Sequence, residues 1–106
     1  METPKKTFSS LKEFYPYYLS EHQNPTSRKL HFIGTAFLFF ILGAAIFFSK
    51  YILLLFIPIV GYGFAWVGHF FFEKNKPATF KHPFYSLASD FILFYHLASG
   101  KEKFNP

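Results

Sequence analysis

The chain contains no cysteine. That excludes disulfides, iron–sulfur clusters and thiolate metal sites. Charge is also scarce. Only 16% of the 106 residues are Asp, Glu, Lys or Arg, against about 25% in an average soluble domain. No nucleophile motif, phosphate-binding loop or dinucleotide fingerprint occurs. The first apolar run starts too late, and is followed too soon by a second, for a cleaved signal peptide. No internal repeat and no low-complexity stretch is found.

What remains is apolar and aromatic. Half of the chain is hydrophobic, and 18 residues are Phe. A soluble domain of this size buries too small a share of its surface to hide so much. The apolar residues are also grouped. Phe32 to Phe48 carries no charge, and neither does Tyr51 to Phe72, which includes His69. Crossing a bilayer takes about 20 residues. The net charge of +5 comes from basic residues flanking these runs, as membrane topology signals do. Nucleic acid is therefore not an expected partner; membrane lipid is.

These patterns predict one all-α integral membrane domain over 1–106. Residues 1–24 form a polar tail, Met1 to Thr7, and an interfacial helix. Leu11, Phe14, Tyr15 and Tyr18 follow helical spacing, and Ser10 and Glu13 have capping-box spacing. Pro16 predicts a break into two short turns. Asn24-Pro25 is a cap followed by proline at the first helical position, so a membrane helix runs over 25–48. Ser49-Lys50 makes a tight turn into a second membrane helix over 51–73, kinked or split at Pro58. Gly61, Ala65 and Gly68 form a small-residue stripe for close helix approach. After a polar loop, Lys74 to Lys81, Pro83 opens a short third helix over 83–99, with Gly100 as its stop. That segment is predicted to insert partly, alongside the helical hairpin. Lys and Arg cluster before the first membrane helix and after the second, which puts Asn24 and Asn75 on the cytoplasmic side.

A hairpin would gather His22, His31, His69, Glu73 and His82 at one depth. His69 and Glu73 are four apart and share a helix face. Each histidine alone reads as a surface or carbonyl-bonded imidazole. Together with a carboxylate they suit a divalent transition metal: iron, zinc, copper or nickel. His96 lies 14 residues past His82, about 21 Å along a straight helix, and is read as a non-ligand. Asp90 is either a partner of a ligand histidine or of a lysine. Asn75 is a loop cap or a substrate contact. Arg28 and Lys29 are topology charges or a clamp for a substrate carboxylate. The aromatic stripe is assigned to lipid contact and packing.

The run YPYYLSEHQNPTSRKLHFIGT, Tyr15 to Thr35, and the run GYGFAWVGHFFFEKNKPATFKHPFYSLASDF, Gly61 to Phe91, together resemble a small membrane family. It is that of the Fe(II)-dependent 2-hydroxy fatty acid dioxygenases, which includes the yeast enzyme of phytosphingosine degradation and bacterial relatives. The resemblance implies Fe2+ as cofactor and molecular oxygen as co-substrate. It implies α-oxidation of a 2-hydroxy fatty acid to an acid one carbon shorter. It maps iron ligands onto His22, His31, His69 and His82. Glu73 and Asn75 match an E-x-N element, and Asp90 matches S-L-x-x-D-F. The expected location is a bacterial inner membrane or the endoplasmic reticulum, and the Lys and Arg distribution puts the metal on the cytoplasmic side. A zinc-dependent membrane hydrolase and a noncatalytic small membrane partner are the competing readings, and a homo-oligomer is left open.

Overall fold

The structure is a computed structural model that describes residues 8–77 and 80–106. The predicted polar tail lies outside the described residues. The described residues form four helical segments and no strand, so the all-α expectation holds.

Helix α1 spans Leu11–Ser20. Ser10 caps it by accepting from the Glu13 N–H at 3.1 Å, and the Glu13 carboxylate returns to Ser9 Oγ. Pro16 lies inside this helix and does not split it. The expected break is overridden by packing. An interior proline costs about 3 kcal/mol, but Phe14 and Tyr18 on this short helix are fully buried against Leu93 and Leu97. Each such ring returns roughly 1.5–3 kcal/mol.

Helix α2 spans Pro25–Phe47. Asn24 Oδ1 accepts from the N–H groups of Thr26 and Ser27 at 2.8 and 3.2 Å, a cap worth about 1 kcal/mol. Ser49 then turns the chain with a positive φ of 52°, and the Lys50 N–H closes onto the Ala45 carbonyl.

Helix α3 covers Tyr51–Glu73 and is not uniform. It opens as a 3-10 turn over Tyr51–Leu55, becomes α-helical over Phe56–Val67, and ends as a π-helix over Gly68–Glu73. Pro58 sits in the first turn of the α-helical part, where its missing N–H does little harm. Lys74, at φ 62°, ends the helix. Helix α4 spans Pro83–Ser99 and stops at Gly100, φ 83°.

Helices α2 and α3 are each long and apolar enough to cross a membrane. Much of their surface is bare hydrocarbon: Phe40, Phe47 and Leu55 are 73%, 81% and 65% exposed. The two helices pack antiparallel through glycines. A Cβ on Gly34 would stand 2.8 Å from Phe64 Cβ, and one on Gly68 would stand 2.8 Å from Ser27 Oγ. Gly68 fulfils the expected small-residue role. Gly61 does not, because a Cβ there would meet only Leu38 Cδ1 at 3.7 Å. Helices α1 and α4 pack together beside this hairpin, with Phe32 stacked on Phe94 at 4.7 Å between α2 and α4.

Candidate metal centre

Three elements deliver three histidines to one point. His22 comes from the α1–α2 loop, His31 from the second turn of α2, and His69 from the π segment of α3. All three are buried, and one nitrogen from each lies within 4.8 Å of the others. The ring centroids of His22 stand 4.5 Å from His31 and 4.4 Å from His69.

Hydrogen bonding decides which nitrogen is free. His22 Nδ1 donates to the Tyr18 carbonyl at 2.7 Å. His69 Nδ1 donates to Asn75 Oδ1 at 2.7 Å, and Asn75 Nδ2 donates to the Glu21 carbonyl, which fixes the amide orientation. His31 Nδ1 faces Asp90 Oδ1 at 3.8 Å. The His22 and His69 rings thus carry their proton on Nδ1, which leaves Nε2 as the nitrogen with a free lone pair. The Nε2 atoms of His22 and His31 are buried without a hydrogen-bond partner. A buried orphan acceptor costs about 1–3 kcal/mol, and two beside a third imidazole are the state a cation relieves. Burial holds the His22 imidazole well below its ordinary pKa, helped by the neighbouring His31 and His69. The ring is therefore neutral, as a ligand must be.

Tyr18, which the sequence marks only by its helical spacing, ties this site together. Its carbonyl holds His22, its ring stacks on His22 at 4.0 Å between centroids, and its hydroxyl donates to Asp90 Oδ1 at 2.5 Å. Burial, reinforced by Asp90, keeps the phenol protonated far above its ordinary pKa of 10. Burial also pushes the Asp90 carboxyl up to about 7, against the opposing pull of that hydrogen bond. The spacing of Tyr18 and His22, one helical turn apart, is the signal that could have found this pairing.

The remaining candidates are placed elsewhere. His82 is not brought to the three histidines. Its ring lies among Phe8, Phe14 and Tyr17, at 5.2, 5.3 and 6.3 Å between centroids. Glu73 accepts from the backbone N–H groups of Gln23 and Asn24 at 3.2 and 3.0 Å. Glu73 therefore does not join His69 on one ion, as α-helical spacing predicts; the i→i+5 winding of the π segment leaves its carboxylate on the Gln23 and Asn24 amides. Arg28 is buried. Its Nε donates to the His22 carbonyl at 2.6 Å, and Nη1 reaches Glu102 Oε1 at 3.0 Å and the Lys103 carbonyl at 2.7 Å. It braces the ligand loop against the segment after α4. Lys29 is exposed. His96 bonds the Tyr15 hydroxyl at 2.9 Å, away from the cluster.

A cavity of about 240 Å³ adjoins the centre, bounded by α2, α3 and α4, with His31 and Asp90 in its wall.

The fold and site define an all-helical protein with two membrane-length helices and a buried three-histidine group fit for a metal ion. The chain belongs to the family described as 2-hydroxy-palmitic acid dioxygenase Mpo1-like, whose model matches residues 8–102. No curated protein and no solved structure matches it.

Proposed function

We propose that the protein is an Fe(II)-dependent dioxygenase of the membrane, performing α-oxidation of 2-hydroxy fatty acids. The observation that carries this reading is the convergence of three buried imidazoles, two of which, His22 and His31, hold a buried Nε2 with no hydrogen-bond partner. His22, His31 and His69 would hold the ion. Three neutral nitrogen ligands without sulfur suit Fe(II) and leave positions for substrate and dioxygen. Bound iron would supply the one-electron chemistry that lets dioxygen react with an organic acid.

The overall reaction balances without an added reductant. One 2-hydroxy acid and one dioxygen give the acid one carbon shorter, carbon dioxide and water. The C1–C2 bond breaks, C2 becomes the new carboxyl carbon, and both oxygen atoms are reduced. The chain's own groups set the stage. Asn75 and the Tyr18 carbonyl fix the orientations of the His69 and His22 rings, and Asp90 stands 3.8 Å from His31 Nδ1. Asp90 also borders the cavity beside His31, where it can accept the proton of a substrate hydroxyl. Burial of all three rings keeps bulk water from the reacting atoms. The basic residues at this end, Arg28, Lys29, Lys74, Lys76 and Lys81, favour a cytoplasmic location for the site.

Anaerobic purification followed by elemental analysis and oxygen-uptake measurement is the test. Near-stoichiometric iron, with oxygen uptake dependent on a 2-hydroxy fatty acid, is the expected result. Tight zinc with no oxygen uptake sinks the proposal and moves the protein to the hydrolases.

A further inference from the structure

We infer that the cavity beside His31 is an acyl-chain site that measures only the first part of the chain and releases the rest into lipid. The inference rests on the dioxygenase reading for the position of the reacting carbons. The cavity itself is argued from its walls.

The lining is polarised. His31, Thr35 and Asp90 mark one end; Leu38, Ile57 and Gly61 mark the other. An amphiphile fits this arrangement in one direction, with its polar head at the histidines. The antiparallel crossing sets the length. His31 to Leu38 is seven residues of α2, about 10 Å of rise. An extended backbone advances about 3.5 Å per three bonds, so this reach takes roughly eight to nine carbon–carbon bonds. Most of a long acyl chain's remainder has no room in 240 Å³. Pro58 and Leu87 are the exposed members of the lining, so the cavity communicates with the lipid-facing surface. The tail beyond the cavity leaves there into hydrocarbon, which accepts methylenes without limit of length.

Gly61 is the position that keeps the far end open. It is not needed for helix approach, since a Cβ would make only an ordinary 3.7 Å contact with Leu38. Its missing side chain is cavity volume. Turnover should therefore rise with chain length to about ten carbons and then level off. A leucine at 61 should fill the far end, so that short acids are retained and long ones lost.

The test uses the full chain in phosphatidylcholine nanodiscs, metal-free, with 2-hydroxypalmitic acid carrying a mid-chain diazirine. After photolysis, peptide mapping should find label on Leu38, Ile57 or Phe91. Gly61→Leu should reduce that label at least about tenfold, a change of ~1.4 kcal/mol in binding. Leu87→Trp, at the exposed mouth, should reduce it without touching the helix crossing. His96→Ala, outside the cavity wall, should keep it. Label spread over Phe40 and Phe47, unmoved by either substitution, overturns the inference. The two proposals fail separately. Labelling as expected with no iron leaves the acyl site standing and removes the dioxygenase. Iron and oxygen uptake with an unaltered chain-length profile in Gly61→Leu do the reverse.

Discussion

At one end of the α2–α3 hairpin, Ser27, Arg28, His31, Gly34, Gly68 and His69 are all buried; at the other, Phe47, Phe48, Tyr51, Ile52 and Leu55 are all exposed. The same two helices make both ends. At the first, glycines at 34 and 68 bring backbone and side chains so close that a methyl group would collide. At the second, Gly43 has nothing within 4 Å. Close packing is concentrated where ring positions must be held, and elsewhere apolar surface is left for lipid to cover. Polar side chains follow the same division. The histidine end is a lattice of side-chain hydrogen bonds that joins Tyr18 to Asp90, His69 to Asn75 and Arg28 to the His22 carbonyl, whereas the turn end is held by backbone bonds such as Lys50 N–H to Ala45.

The sharpest way to break this contrast is to remove a ligand. His22→Ala, His31→Ala or His69→Ala should each abolish metal retention and lower activity by more than the ~10–100-fold typical of losing a ligand's supporting partner. Elemental analysis after gel filtration reads the first and oxygen uptake the second. A substitution that leaves metal stoichiometry intact removes that ring from the group. Next in size is Gly68→Ala, where the added methyl would press on Ser27 Oγ at 2.8 Å and its Cα at 3.3 Å. Overpacking of this kind costs about 1–3 kcal/mol, and thermal unfolding in nanodiscs should show it. Gly43→Ala is its partner at the loose end and should be neutral or slightly stabilising; equal losses at both would erase the distinction.

Asn75→Ala should weaken metal affinity by roughly 10–100-fold while leaving the fold in place, since it releases the His69 ring without deleting a ligand. A competitive chelator titration measures this. His82→Ala should lower the melting temperature and spare metal content, because its ring packs among Phe8, Phe14 and Tyr17. Loss of metal in that variant would return His82 to the ligand set. The smallest effect belongs to His96→Ala, which gives up one bond to Tyr15. Metal content and turnover should stay within about twofold, as expected for a group outside the network.

Much of this architecture was legible in local chemistry. Asn24-Pro25, His82-Pro83 and Gly100 announced helix ends, and the structure uses all three. Two apolar runs announced the hairpin. The less legible features depend on contacts between distant segments. Pro16 stays helical because α4 buries the rings beside it. The π winding of Gly68–Glu73 has no signature in spacing, so the reach of Glu73 was misjudged while that of His69 was not. His22, His31 and His69 could be grouped from depth alone. His82 shares their end of the molecule but faces a different neighbour, and depth does not resolve direction. Arg28 looked like an open cation because its acceptors, Glu102 and Lys103, lie more than 70 positions away.

That last contact bears on how the protein matures. The ribosome releases His22, His31 and His69 in order, yet the loop bearing His22 is braced through Arg28 by Glu102, which follows all three. Asp90, behind His31, also arrives late. The two membrane-length helices are complete well before the brace on the histidine loop can form. The brace on the histidine loop is thus the last part of this end to form, and the order of synthesis itself separates the hairpin from the finished cluster.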